Sequence, residues 1–126
     1  MFQGSYIEAQ KKEVEIPDFE PEIVEKMIEF CETDKIDKTD GDEIEIYKIA
    51  RKYQIEALMI YTYNLMINTL SFENVSDRLQ TAFMYDDEKL AKFLCASIIP
   101  NIEHIRFTPG FLKLTNNQIA QIFKSQ

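Results

Sequence analysis

Apolar residues recur at spacings of three and four through most of this chain, and little interrupts them: 126 residues hold only three Gly and four Pro. Such a period puts one stripe of side chains on one face of a helix, so the chain is predicted to be mainly α-helical. One segment breaks the pattern. In Glu13-Val14-Glu15-Ile16 acidic and apolar residues alternate, which places Val14 and Ile16 on the same side of a short strand that Pro17 ends. A lone strand leaves its backbone groups unpaired, so this one needs a neighbour.

The helices can be placed by their ends. Pro21 suits a first helical position, where a missing N–H costs nothing, and Phe19 can fold back on Val24. The stripe expected to be buried there is Val24, Met27, Ile28 and Cys31. Polar residues with Gly41 make Thr33 to Asp42 a loop, and Ile46, Ile49, Ala50 and Tyr53 mark a second helix that breaks at Gln54. Ile55, Leu58, Met59, Thr62, Leu65, Met66 and Thr69 sustain a third to about Leu70. Ser71 is the expected cap of a helix carrying Phe72, Val75, Leu79 and Ala82, and Asp86 of one carrying Leu90, Phe93, Leu94, Ser97 and Ile98. These two are expected to form a hairpin. Pro100 ends or kinks the second, Thr108-Pro109-Gly110 reads as a turn, and Thr115 with Gln118 has capping-box spacing for a last helix through Phe123.

Charge narrows the partners. The net charge is −8, from 22 acidic against 14 basic residues. Residues 1 to 45 hold 15 of the carboxylates and five Lys or Arg, so that segment carries −10 and the rest +2. A phosphate backbone would need clustered cations, so nucleic acid is an unsuitable partner and a protein with a basic surface a better one. Apolar runs fall short of the roughly 18 residues of a membrane span, and Met1-Phe2-Gln3-Gly4 lacks the character of a secretory signal. A soluble intracellular protein, cytoplasmic or nuclear, is expected. Cys31 and Cys95 lie far apart in apolar helical patterns and are expected to be buried reduced thiols.

Catalysis finds little support. His104 is the sole histidine, so the two-histidine zinc pattern cannot form, and Cys95 with His104 is separated by Pro100. Asp37-Lys38-Thr39-Asp40-Gly41-Asp42-Glu43 falls short of a calcium loop, and three scattered Gly make no phosphate cradle. The expectation is a chain that is not an enzyme, with no metal and no cofactor.

Met1-Phe2, Tyr6-Ile7-Glu8 and Val14-Glu15-Ile16-Pro17-Asp18-Phe19-Glu20-Pro21 follow one another in an order that resembles the middle of a BTB/POZ domain, especially of MATH-BTB and kelch-type adaptors. Phe30 to Ile36 resembles the family's aromatic helix end and its Tyr-Thr-Gly turn, with Glu32 and Asp34 standing where Tyr and Gly are usual. Ile49-Ala50-Arg51-Lys52-Tyr53-Gln54-Ile55 through Leu58 resembles its next helix pair, and Leu70-Ser71-Phe72-Glu73-Asn74-Val75 the opening of the three-box extension. Ile98, Asn101, Ile105, Thr108, Gly110, Phe111 and Leu114 recur at the later spacing of that extension.

The resemblance implies a BTB/POZ-like helical bundle of an α+β family with one short remaining strand, over residues 1–70, followed by helical hairpins of a three-box or BACK-like extension over residues 71–126. It further implies that Met1-Phe2 matches an internal position, so that two strands and a helix of the usual domain, and with them much of its homodimer face, are missing ahead of it. In such relatives a hydrophobic residue, any residue and Glu meet a cullin-3 class scaffold of a ubiquitin ligase. Tyr6, Ile7 and Glu8 stand in that position. The implied role is a non-catalytic adaptor piece that docks a cullin or another BTB chain, with scaffolding or transcriptional regulation without a cullin as the alternative. No MATH or kelch module is expected within these 126 residues, which by themselves would dock without delivering a substrate.

Overall fold

The computed structural model describes residues 19–124, and among them the chain is helical with no strand. The alternating segment Val14 to Ile16 lies outside the described residues. The chain divides into two compact units, one through Thr62 and one from Tyr63 onward.

In the first unit, α1 (Pro21–Thr33) begins with Pro at its first position after Glu20 in extended conformation. Its buried face is not the expected one. Ile23 and Phe30 are buried, Met27 is partly so, and Ile28 and Cys31 are exposed. The stripe is thus turned by about one residue, or roughly 100°. Met27 fits both faces, and the distant partner decides between them: the Phe30 ring meets the Tyr61 ring at 5.0 Å between centroids, tilted by 52°. Helix α2 (Glu43–Tyr53) packs on α1, and its Ile46, Tyr47, Ile49 and Ala50 are buried while Tyr53 is exposed. Phe30, Ile36, Ile46, Ala50 and Leu58, the last from α3 (Glu56–Asn68), form one core cluster. Each such large side chain contributes about 1.5–3 kcal/mol on burial.

Three helix ends use left-handed residues that are not glycine. Asp34 has φ 66° and its N–H donates to Phe30 O at 2.7 Å, closing α1. Gln54, at φ 53°, closes α2 with N–H bonds from Gln54 to Arg51 O and from Ile55 to Ala50 O, the paired bonds of a Schellman stop. Asp86 at φ 54° does the same after α4 (Val75–Met84), where Asp86 N–H donates to Phe83 O and Asp87 N–H to Ala82 O.

That stop displaces the next cap. Asp86 is spent on the turn, so Asp87 rather than Asp86 caps α5 (Glu88–Ile98), its carboxylate accepting from Leu90 N–H at 3.2 Å. In this second unit α4 and α5 pack on one another, joined by Tyr85 to Asp87, as expected of a hairpin. Buried Val75, Leu79, Ala82, Leu90, Leu94, Cys95 and Ile98 fill its interior, while Phe72 and Phe93, expected in the stripes, are exposed. A 3₁₀ turn over Ile99–Asn101 follows α5, with Pro100 inside it, and leads into α6 (Ile102–Ile105).

Thr108-Pro109-Gly110 opens a helix instead of making a free turn. Thr108 Oγ1 accepts from Phe111 N–H at 3.4 Å at the head of α7 (Pro109–Leu112), with Pro109 at its first position. Gly110 comes close to α4: a Cβ there would stand 3.4 Å from Ser76 Cβ, an ordinary contact, and 3.2 Å from Asp77 Oδ1, which would have to shift by a few tenths of an ångström. The expected capping box is present at α8 (Asn116–Lys124), where Thr115 Oγ1 accepts from Gln118 N–H at 3.1 Å and Gln118 Oε1 from Thr115 N–H at 3.0 Å. Gln118 Oε1 also accepts from Gln80 Nε2 at 3.2 Å, which ties α8 to α4.

Candidate protein-interaction surface

Tyr6, Ile7 and Glu8, the residues expected to meet a partner, lie outside the described residues. In the first unit the structure displays the segment between α1 and α2, whose first part, Thr33 to Asp37, is firmly tied down. Ile36 is buried, and the Tyr61 hydroxyl accepts from Ile36 N–H at 3.2 Å and lies 3.4 Å from Ile36 O. Asp37 N–H donates to Glu29 Oε2 at 3.1 Å, and Thr33 Oγ1 lies 2.9 Å from both Glu29 O and Lys35 O. Asp34 takes the left-handed conformation for which glycine is best suited, so the turn keeps its shape without one. Glu32, Asp34, Lys35, Asp37 and Lys38 then face outward as a mixed, mainly acidic edge.

Cys31 stands beside this edge, exposed rather than buried as its apolar spacing suggested. Partial burial, and after it the neighbouring Glu32 carboxylate, hold its thiol above the usual value. A thiol so placed is a poor nucleophile at neutral pH. Apolar exposure continues at Ile28 and at Ile60, 65% accessible in α3.

In the second unit a cap pair opens α4: Ser71 Oγ accepts from Asn74 N–H at 3.2 Å and Asn74 Oδ1 from Ser71 N–H at 2.9 Å. Asn74 here does the work that Glu or Gln does in a capping box. Behind it, buried Arg78 sends Nη1 to Met66 O at 2.9 Å and to Thr69 Oγ1 at 2.7 Å. A cation is favourable at these last carbonyls of α3 because the helix dipole is negative there. Sequence reasoning passed over Arg78, whose one signal is a cation inside the apolar spacing Val75, Leu79, Ala82.

Two concavities mark the surface of this unit. The smaller, about 110 Å³, lies among Leu70, Phe72, Val75, Ser97, Asn101 and Ile105, of a size for a single aliphatic side chain. The exposed Phe72 ring at its rim stacks on His104, parallel within 1° at 5.0 Å. His104 is therefore engaged with an aromatic face, while Cys95 is buried. The larger, about 640 Å³, runs between the start of α5 and α8, with Asp86, Asp87 and Glu88 on one side and Asn117, Gln118 and Gln121 on the other. Phe107 and Leu112 are also widely exposed.

Among the described residues no three His, Cys, Asp or Glu side chains converge as metal ligands, and no helix is long and apolar enough to cross a membrane. The surface offers side chains to another protein: exposed aromatic and aliphatic groups, notches that fit them, and acidic rims.

Residues 1–70 match the family model of the BTB/POZ domain, which is more than half of the chain. The chain is also similar to BTB and MATH domain-containing protein 40 of Caenorhabditis elegans, with 33% identity over 101 residues, 78% of this chain and 25% of that protein. It thus spans about a quarter of the length of that relative. The BTB fold is a protein-interaction fold, and by this match over its first 70 residues the chain belongs to the BTB/POZ domain family.

Proposed function

We propose that this chain is a non-catalytic docking piece of the MATH-BTB or kelch adaptor type, which binds a cullin-3 class scaffold protein through Tyr6, Ile7 and Glu8. The observation that carries the reading is the BTB/POZ match over residues 1–70, because the three residues fall inside it. Tyr6 supplies an aromatic anchor for an apolar notch, and Glu8 pairs with a basic or amide donor of the partner. The acidity of the first 45 residues supports a partner with a basic face. On this reading residues 71–126 are a three-box extension whose exposed Phe72 and apolar notch add contact area, and the setting is cytoplasmic or nuclear.

Retention of the purified chain on an immobilised cullin-3 amino-terminal domain tests the proposal. Tyr6→Ala and Glu8→Ala are each expected to weaken binding by at least about tenfold, the size of a hot-spot loss above 1.4 kcal/mol. Retention of both variants at the level of the parent removes the motif from the account.

A further inference from the structure

We infer that Thr39 is a phosphorylation site for an acidophilic protein kinase, that is, one whose substrate groove is lined with basic side chains. The inference stands on residues apart from Tyr6 to Glu8 and does not depend on cullin binding. Thr39 lies in the connection between α1 and α2, half-exposed, and among the described residues its hydroxyl has no hydrogen-bond partner. The hydroxyl is therefore available as a phosphoryl acceptor without the loss of a side-chain hydrogen bond.

The residues just past Thr39 carry the pattern such a groove would recognise. Asp40 is next in sequence and exposed, and Asp42, three residues on, has a side chain 37% accessible. Glu43 is buried and adds nothing to recognition unless the helix end opens. Among the described residues the Asp42 carboxylate pairs with Lys26 at 3.8 Å, and its side chain makes no capping bond to α2. The Lys26 side chain is 19% accessible, so the pair is half-buried, and at 3.8 Å it is long enough for a kinase cation to displace it from Asp42.

Kinases take substrates extended, and this turn can extend. A single backbone bond closes it, Asp42 N–H to Thr39 O at 2.8 Å, and Gly41 at φ +83° has open space around its Cα. In the reaction Thr39 Oγ1 attacks the γ-phosphorus of ATP and its proton passes to the base of the kinase. The bond from phosphorus to the bridging oxygen breaks and ADP departs. The product carries nearly two further negative charges in a segment already at −10.

The test is incubation of the full chain with the catalytic subunit of an acidophilic serine/threonine kinase and Mg-ATP, followed by site-resolved mass spectrometry. One phosphoryl group at Thr39 is expected, lost in Thr39→Ala and kept in Thr39→Ser. Asp42→Asn is expected to slow transfer by about tenfold, the worth of one lost charge-assisted contact. No phosphate at Thr39, an unchanged rate in Asp42→Asn, or equal labelling by a kinase that prefers basic substrates would each overturn the assignment.

Discussion

Arg78 reaches Met66 across twelve residues of sequence, its Nη1 donating to the Met66 carbonyl at 2.9 Å from a position that is 4% accessible. The same nitrogen holds Thr69 Oγ1, so one guanidinium closes the end of α3 while its own helix α4 packs on α5.

Replacing Arg78 with Met should lower stability by about 1.5–3 kcal/mol, the range for hydrogen bonds made by a charged donor. Arg78→Lys should restore only part, because an ammonium cannot reproduce the fixed fork of a guanidinium. Urea denaturation gives both values, and a loss in Arg78→Met below about 0.5 kcal/mol, the scatter of ordinary surface changes, would refute the role.

Gln54 and Asp34 both sit in the left-handed region, but a short carboxylate tolerates it better than a long carboxamide. Gln54→Gly should therefore stabilise the chain by about 0.5–1 kcal/mol, and Asp34→Gly by less. Thermal melts of the two variants check the order as well as the sign; a fall in melting temperature for Gln54→Gly contradicts it.

Tyr61→Phe removes the hydroxyl between Ile36 N–H and Ile36 O while keeping the ring against Phe30. The expected cost is about 1 kcal/mol. Amide hydrogen exchange at Ile36 should quicken, and protection equal to that of the parent would show that the phenol does not fasten the loop.

Cys31 should be alkylated by iodoacetamide more slowly at pH 8 than free cysteine, since its thiol stays protonated to higher pH. The raised value means that the rate climbs only as pH passes the upward-shifted midpoint. Glu32→Gln should move the midpoint down in part, because burial is the larger cause and remains. A midpoint at or below that of free cysteine would disprove the assignment.

The features legible in the sequence were those written locally. Pro21, the break at Gln54 and the Thr115 with Gln118 box each act within four residues, and each is found where the residues placed it, while Ser71, expected as the cap, holds the turn ahead of α4, whose N-cap is Asn74. The face of α1 was not legible, since Met27 serves two stripes and the choice rests on Tyr61, more than thirty residues away. Adjacent Asp86 and Asp87 are equally good caps on paper, and only the stop after α4 assigns one to the turn and one to the helix. Phe93 satisfies helical spacing yet points outward, because periodicity describes a helix face without saying whether another element covers it, whereas Phe72 lies in the turn before α4 and on no helix face. Tyr6 to Glu8, the proposed partner-binding residues, carry no periodic or capping signal and were singled out through family resemblance alone. The Phe72 and His104 stack joins residues 32 apart, beyond any local pattern.

Gly110 lies so near α4 that a methyl group there would need the Asp77 carboxylate to turn slightly aside. Beyond the three-residue link Lys113–Thr115, α8 is fastened to the same helix by a side-chain bond of its own, from Gln80 to Gln118. The closing helix of the second unit thus has an anchor separate from position 110, and a small side chain there can be taken up by one carboxylate without unseating it.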